Sequence, residues 1–189
     1  MERRATGSGG RRRAGIAVAA LLLLAGCPGE TPAKESVPGV DLNNCESSDD
    51  PEVFLGRGVG GAFESLEEGA QVGLSVAPQG GFGVSVLVGT RGLQAGEGEV
   101  VEADLTAVSS AVEGSEATFS LDAVLHCMDD GPDGVQGVIY GVVVGFSSSL
   151  NNDQLLAMNG QPATLTVVVR DAAGVEASVD QEVTLIVGE

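Results

Sequence analysis

The stretch Thr164-Leu165-Thr166-Val167-Val168-Val169-Arg170-Asp171-Ala172-Ala173-Gly174-Val175-Glu176-Ala177-Ser178-Val179-Asp180-Gln181-Glu182-Val183-Thr184-Leu185-Ile186-Val187 is apolar at nearly every odd position and polar at most even ones. Successive side chains of a β-strand point to opposite faces, so Leu165, Val167, Val169, Val175, Val179, Val183, Leu185 and Val187 fall on one inward face. Between the two runs, Asp171 opens a turn and Gly174 stands where a positive φ is wanted, which predicts a hairpin.

The same parity recurs upstream in Phe119, Leu121, Ala123, Leu125 and Cys127, with Ser120, Asp122 and His126 at even positions. A second hairpin is predicted at Pro78-Gln79-Gly80-Gly81, whose adjacent glycines permit tight turns. Strands are predicted over 53–57, 70–77, 82–90, 100–109, 117–127, 135–147, 163–170 and 175–187, the last in one piece or two. Eight or nine short strands at this spacing predict an all-β domain, a single sandwich or barrel. Residues 149–158 read as one or two helical turns capped by Ser149 or Asn151, or as a loop. The chain has 29 glycines, no tryptophan and Tyr140 as its one tyrosine, so the core must be built from Val, Leu and Ala.

The N-terminus has a different pattern. Arg3, Arg4, Arg11, Arg12 and Arg13 precede an uncharged run from Ala14 to Gly26. This is the layout of a secretory signal peptide, and the run is too short for the roughly 20 residues that span a bilayer. Leu24-Ala25-Gly26-Cys27 resembles the lipobox of bacterial lipoproteins. The resemblance implies cleavage after Gly26, lipid attachment at Cys27 and anchoring to the cell envelope. Pro28, in place of an aspartate, implies the outer membrane. Two or three acyl chains anchor stably where one does not. The paired arginines also suggest twin-arginine export, but Ala14-Gly15-Ile16-Ala17 lacks that motif's usual phenylalanine or leucine at the expected step, which favours general secretion. The expected organisation is a signal peptide over 1–26, a disordered tether over 27–50 carrying Cys27, and a β-sandwich over 51–189.

After that cut, 163 residues remain with four basic side chains, Lys34, Arg57, Arg91 and Arg170, against 26 acidic ones. Such a surface repels phosphate backbones and anionic head groups, so no nucleic-acid partner is expected and the membrane is held through lipid alone. If free as far as Asn44, the tether spans roughly 20–25 Å on average.

Chemistry-bearing motifs are scarce. His126 is the one histidine, sits on the outward parity, and has no Gly-x-Ser-x-Gly elbow to serve. Zinc wants three or four ligands of a kind the sequence does not group. Glu67, Glu68, Glu97, Glu99, Glu102 and Asp104 offer carboxylates, which read as a solvated face without aromatic sugar platforms.

Val72 to Val88 around the Pro78–Gly81 turn, with Gly61-Ala-Phe-Glu-Ser-Leu66 before it and Arg91-Gly-Leu93 after it, resembles uncharacterised exported single-domain proteins, and Leu165-Thr-Val-Val-Val-Arg-Asp-Ala-Ala-Gly174 is similar to the closing strands of immunoglobulin-like modules. The resemblance implies an immunoglobulin-like β-sandwich and no particular chemistry. The function expected is a non-enzymatic binding or structural module of the cell envelope, with an unknown envelope protein or surface ligand as partner. The alternatives are an extracytoplasmic hydrolase and a calcium-stabilised adhesion module. Cys45 and Cys127 are expected to pair in an oxidising compartment. Their bond would draw Asp49 and Asp50 toward Asp129, Asp130 and Asp133, carboxylates of the type calcium takes. The spacing matches no standard calcium loop, which favours simple solvated turns over a calcium site, and no cofactor is expected.

Overall fold

The computed structural model describes Cys45 and residues 47–58, 62–76, 81–96, 98–128 and 131–188. Cys27, Asp129 and Asp130 lie outside the described residues. The strands are β1 (Glu52–Arg57), β2 (Glu64–Ser65), β3 (Ala70–Val76), β4 (Phe82–Arg91), β5 (Val100–Ser109), β6 (Ala117–Val124), β7 (His126–Cys127), β8 (Gly137–Gly145), β9 (Pro162–Arg170) and β10 (Glu176–Val187), with helix α1 (Asn152–Ala157).

One layer runs β6-β5-β9-β10-β3, and the other joins β7 to β8, β8 to β4, and β4 to β1 and β3. β3 ties the layers together: Ala70 to Leu74 pair parallel with β10, and Leu74 to Val76 pair antiparallel with β4. The sheet therefore curls over on itself as a mixed, all-β sandwich. With β3 to β10 taken in order as A, B, C, C′, D, E, F and G, the layers read A-B-E-D and G-F-C-C′, the strand order of immunoglobulin-like sandwiches.

The odd parity read from the sequence faces the core. Leu165, Val167, Val169, Val183 and Leu185 pack with Leu105, Val84, Val86 and Val144 between the layers. The C-terminal hairpin forms as expected. Gly174 has φ +82°, and Asp171 is only 5% exposed because its carboxylate accepts from the backbone N–H of Ala173, Val175 and Gln94. Asn151 caps α1, its side chain accepting from Gln154 N while the Gln154 side-chain oxygen accepts from Asn151 N.

Three differences from the sequence reading have physical causes. The stretch expected as one strand over 117–127 changes layers at Leu125: β6 pairs with β5, and β7 pairs with β8. The strand expected over 135–147 spans Gly137–Gly145 and contains a bulge. There Tyr140 and Gly141 together face Leu87, and Gly141 takes φ +71°. The extra residue resets the parity, so Ile139 and Val142 both turn inward. Finally, the packed region begins ahead of Pro51. Cys45 is buried and Ser48 N donates to Gly92 O.

A smaller cluster covers the outer face of β1 and β4, where Phe63 packs with Leu87, Val135 and Val138. Gly56 and Gly89 make room for its ring: a Cβ on either would lie 2.5 Å or 2.8 Å from Phe63 carbons.

Candidate functional site: a groove on the sandwich flank

On one flank the edges of the two layers face each other. β6 pairs only with β5, and β8 beyond Val138 pairs only with β4 among the described residues. The ladder fixes which backbone groups are spare. Leu125 N donates to Glu99 O, so by antiparallel alternation the odd residues of β6 bond β5, and Asp122 and Val124 direct N–H and C=O to the flank. Phe146 N donates to Phe82 O, which by the same alternation leaves Val143 facing the flank from β8.

At one end the flank is closed, where the Phe119 ring lies over Gly145 and Ser147 N donates to Ser115 O. Towards the other end it opens into a groove of about 350 Å³. Leu121, Ala123, Ile139 and Val142 form its apolar floor, and Asp122, Val124, His126 and Tyr140 its rim. The His126 and Tyr140 rings stand 5.2 Å apart and inclined at 58°, a tilted aromatic pair at the mouth. No hydrogen bond joins His126 to a serine or carboxylate among the described residues. Its outward position agrees with its parity in the sequence.

Beside the groove, the outer face of β6-β5-β9-β10 is acidic. The register sets Asp122, Glu102, Arg170 and Glu176 in one row. Arg170 donates to Glu176 at 2.5 Å and to Glu102 at 3.0 Å, and these bonds raise its pKa above the usual guanidinium value. In the next rows Ser120 donates to Asp104 and Thr166 to Asp180. Within these rows one cation, held between two carboxylates, stands among Glu102, Asp104, Asp122, Glu176 and Asp180.

A second concavity, of about 580 Å³, lies beside β2 between Arg57, Glu64, Gln71 and Asp133. Arg57 and Glu64 pair at 2.9 Å; the hydrogen bond raises the arginine pKa and lowers that of the carboxyl. Asp133 accepts from Ser65 Oγ at 2.9 Å.

The residues singled out from the sequence fall as follows. Cys45 and Cys127 are joined by a disulfide with Cα atoms 5.2 Å apart. Asp49 and Asp50 are exposed, and Asp133 is directed to Ser65. Among the described residues no three His, Cys, Asp or Glu side chains gather as a metal site. Glu102 and Asp104 lie on the outer sheet face, as their parity requires. Tyr140 and the groove were not visible in the sequence, and the only signal was a lone tyrosine beside a glycine inside an apolar strand. No family model matches this chain, and no curated protein matches it in sequence. Among the described residues no helix is long and apolar enough to cross a membrane.

Proposed function

We propose that this is an exported lipoprotein, cut after Gly26 and anchored by lipid on Cys27 to the outer membrane, whose domain is a non-enzymatic binding module of the cell envelope. The observation that supports it most is the polarity of the sandwich. The disulfide fixes Cys45, where the tether reaches the domain, at the end that holds Gly92 and the Asp171 turn. The opposite end carries α1, Gly81 beside Ser148, and Ser147 bonded to Ser115. A tether entering at one end presents the other end and the flanks away from the bilayer. The exposed Leu156 on α1 and Val76 on β3 sit on that distal part, 63% and 71% exposed. Binding residues concentrate on such loops and edges, held by a rigid scaffold.

The test is metabolic labelling with palmitate and detergent phase partition in a double-membraned bacterium. The wild-type protein should label and enter the detergent phase, and Cys27→Ala should do neither. Equal labelling of the two would refute the anchor.

A further inference from the structure

We propose that the flank groove binds a short extended segment of a partner protein whose residues alternate between apolar and basic. The inference rests on the reading of the domain as a binding module and adds the chemistry of what it binds. Three features of the groove converge on that ligand. Asp122 and Val124 on β6, and Val143 on β8, present backbone donors and acceptors that no strand of this chain takes up among the described residues. An added strand satisfies such groups, because main-chain hydrogen bonds supply affinity while alternate side chains supply selectivity. On the inner side, Leu121, Ala123, Ile139 and Val142 offer an apolar floor of a size that takes a few side chains.

On the outer side the neighbouring rows hold Asp122, Glu102 and Asp104, with Arg170 already engaged by Glu102 and Glu176. A strand laid beside β6 has period two, so every second side chain drops to the floor and the others rise over these carboxylates. Apolar residues suit the first set and lysine or arginine the second. A second copy of this chain is a poor occupant, because it would bring one acidic sheet face against the edge of another. β6 has no proline, no lysine and no bulge, and its one charged residue, Asp122, is of the sign that a basic strand would meet favourably.

The test uses the processed, lipidated protein in detergent and fluorescence anisotropy with three labelled hexapeptides: Lys-Val-Lys-Val-Lys-Val, Glu-Val-Glu-Val-Glu-Val and the block isomer Lys-Lys-Lys-Val-Val-Val. The alternating basic peptide should bind at least about tenfold more tightly than either other, because only it matches strand period and charge together. Val124→Pro removes one flank-facing N–H while the ladder to β5 uses the odd residues, and should weaken that peptide by about tenfold or more. Val124→Thr keeps the N–H and should retain binding. Circular dichroism and the melting midpoint verify that Val124→Pro is folded. If it is not, Asp122→Lys takes its place and should erase the preference for the basic peptide. Absence of binding, equal binding of the block isomer, or full binding by folded Val124→Pro overturns the proposal. Palmitate labelling is read separately, so loss of the anchor and loss of this ligand are distinct results.

Discussion

Asp171 offers a sharp test of how the closing hairpin is fastened to the rest of the sandwich. Its Oδ1 accepts from Ala173 N and Val175 N at 2.9 Å each, and its Oδ2 accepts from Gln94 N at 3.2 Å. Two of these bonds shape the local turn, and the third reaches the loop that follows β4. Hydrogen bonds to a charged group contribute about 1.5–3 kcal/mol net each, and the three are not additive because they share one carboxylate. The donors belong to residues at least partly open to water, so solvent recovers part of the loss. Asp171→Ala should therefore cost about 3–5 kcal/mol, and Asp171→Asn about 1–2 kcal/mol, since the amide oxygen keeps the turn while its nitrogen cannot accept from Gln94. Urea unfolding followed by circular dichroism measures both, and the larger loss corresponds to a fall in melting midpoint of about 10 °C. A loss below about 0.5 kcal/mol for Asp171→Ala, or equal losses for the two variants, would refute the argument.

Leu185 is fully buried whereas Thr184 faces outward and donates to Gly69 O. Leu185→Asp should therefore abolish the cooperative thermal transition, and Thr184→Asp should cost only about 1 kcal/mol. Reducing the Cys45–Cys127 bond frees a loop with a sequence separation of 82. Unfolding free energy in urea should drop by up to about 4.5 kcal/mol in the chain-entropy treatment. Gly89→Ala sets a methyl against Phe63 and should cost about 1–3 kcal/mol, and Phe63→Ala should remove most of that increment in a double-mutant cycle read by thermal melts.

Strand parity, the Asp171–Gly174 turn and the cap at Asn151 were legible in the sequence because each is a local matter. A strand has period two, a hairpin needs a positive φ at one place, and a cap needs one side-chain oxygen within three residues. The proposed lipid attachment also rests on a local motif, Leu24 to Cys27, and Cys27 lies outside the described residues. The candidate site is not local. Its floor joins β6 to β8 from different layers, and its existence depends on the chain leaving β5 at Leu125 to pair two residues, His126 and Cys127, with β8. The bulge at Tyr140 and Gly141 likewise has no signature apart from a glycine, because only the pairing with Leu87 defines it. The five acidic positions named for calcium were close in sequence to two bonded cysteines, yet Asp133 bonds Ser65 across the fold. Alternation along the chain determined which side of each strand is wet. Which edges stay unpaired, and which carboxylates end as neighbours, was decided by how distant strands dock, because those contacts join residues whose separation in sequence carries no repeating signal.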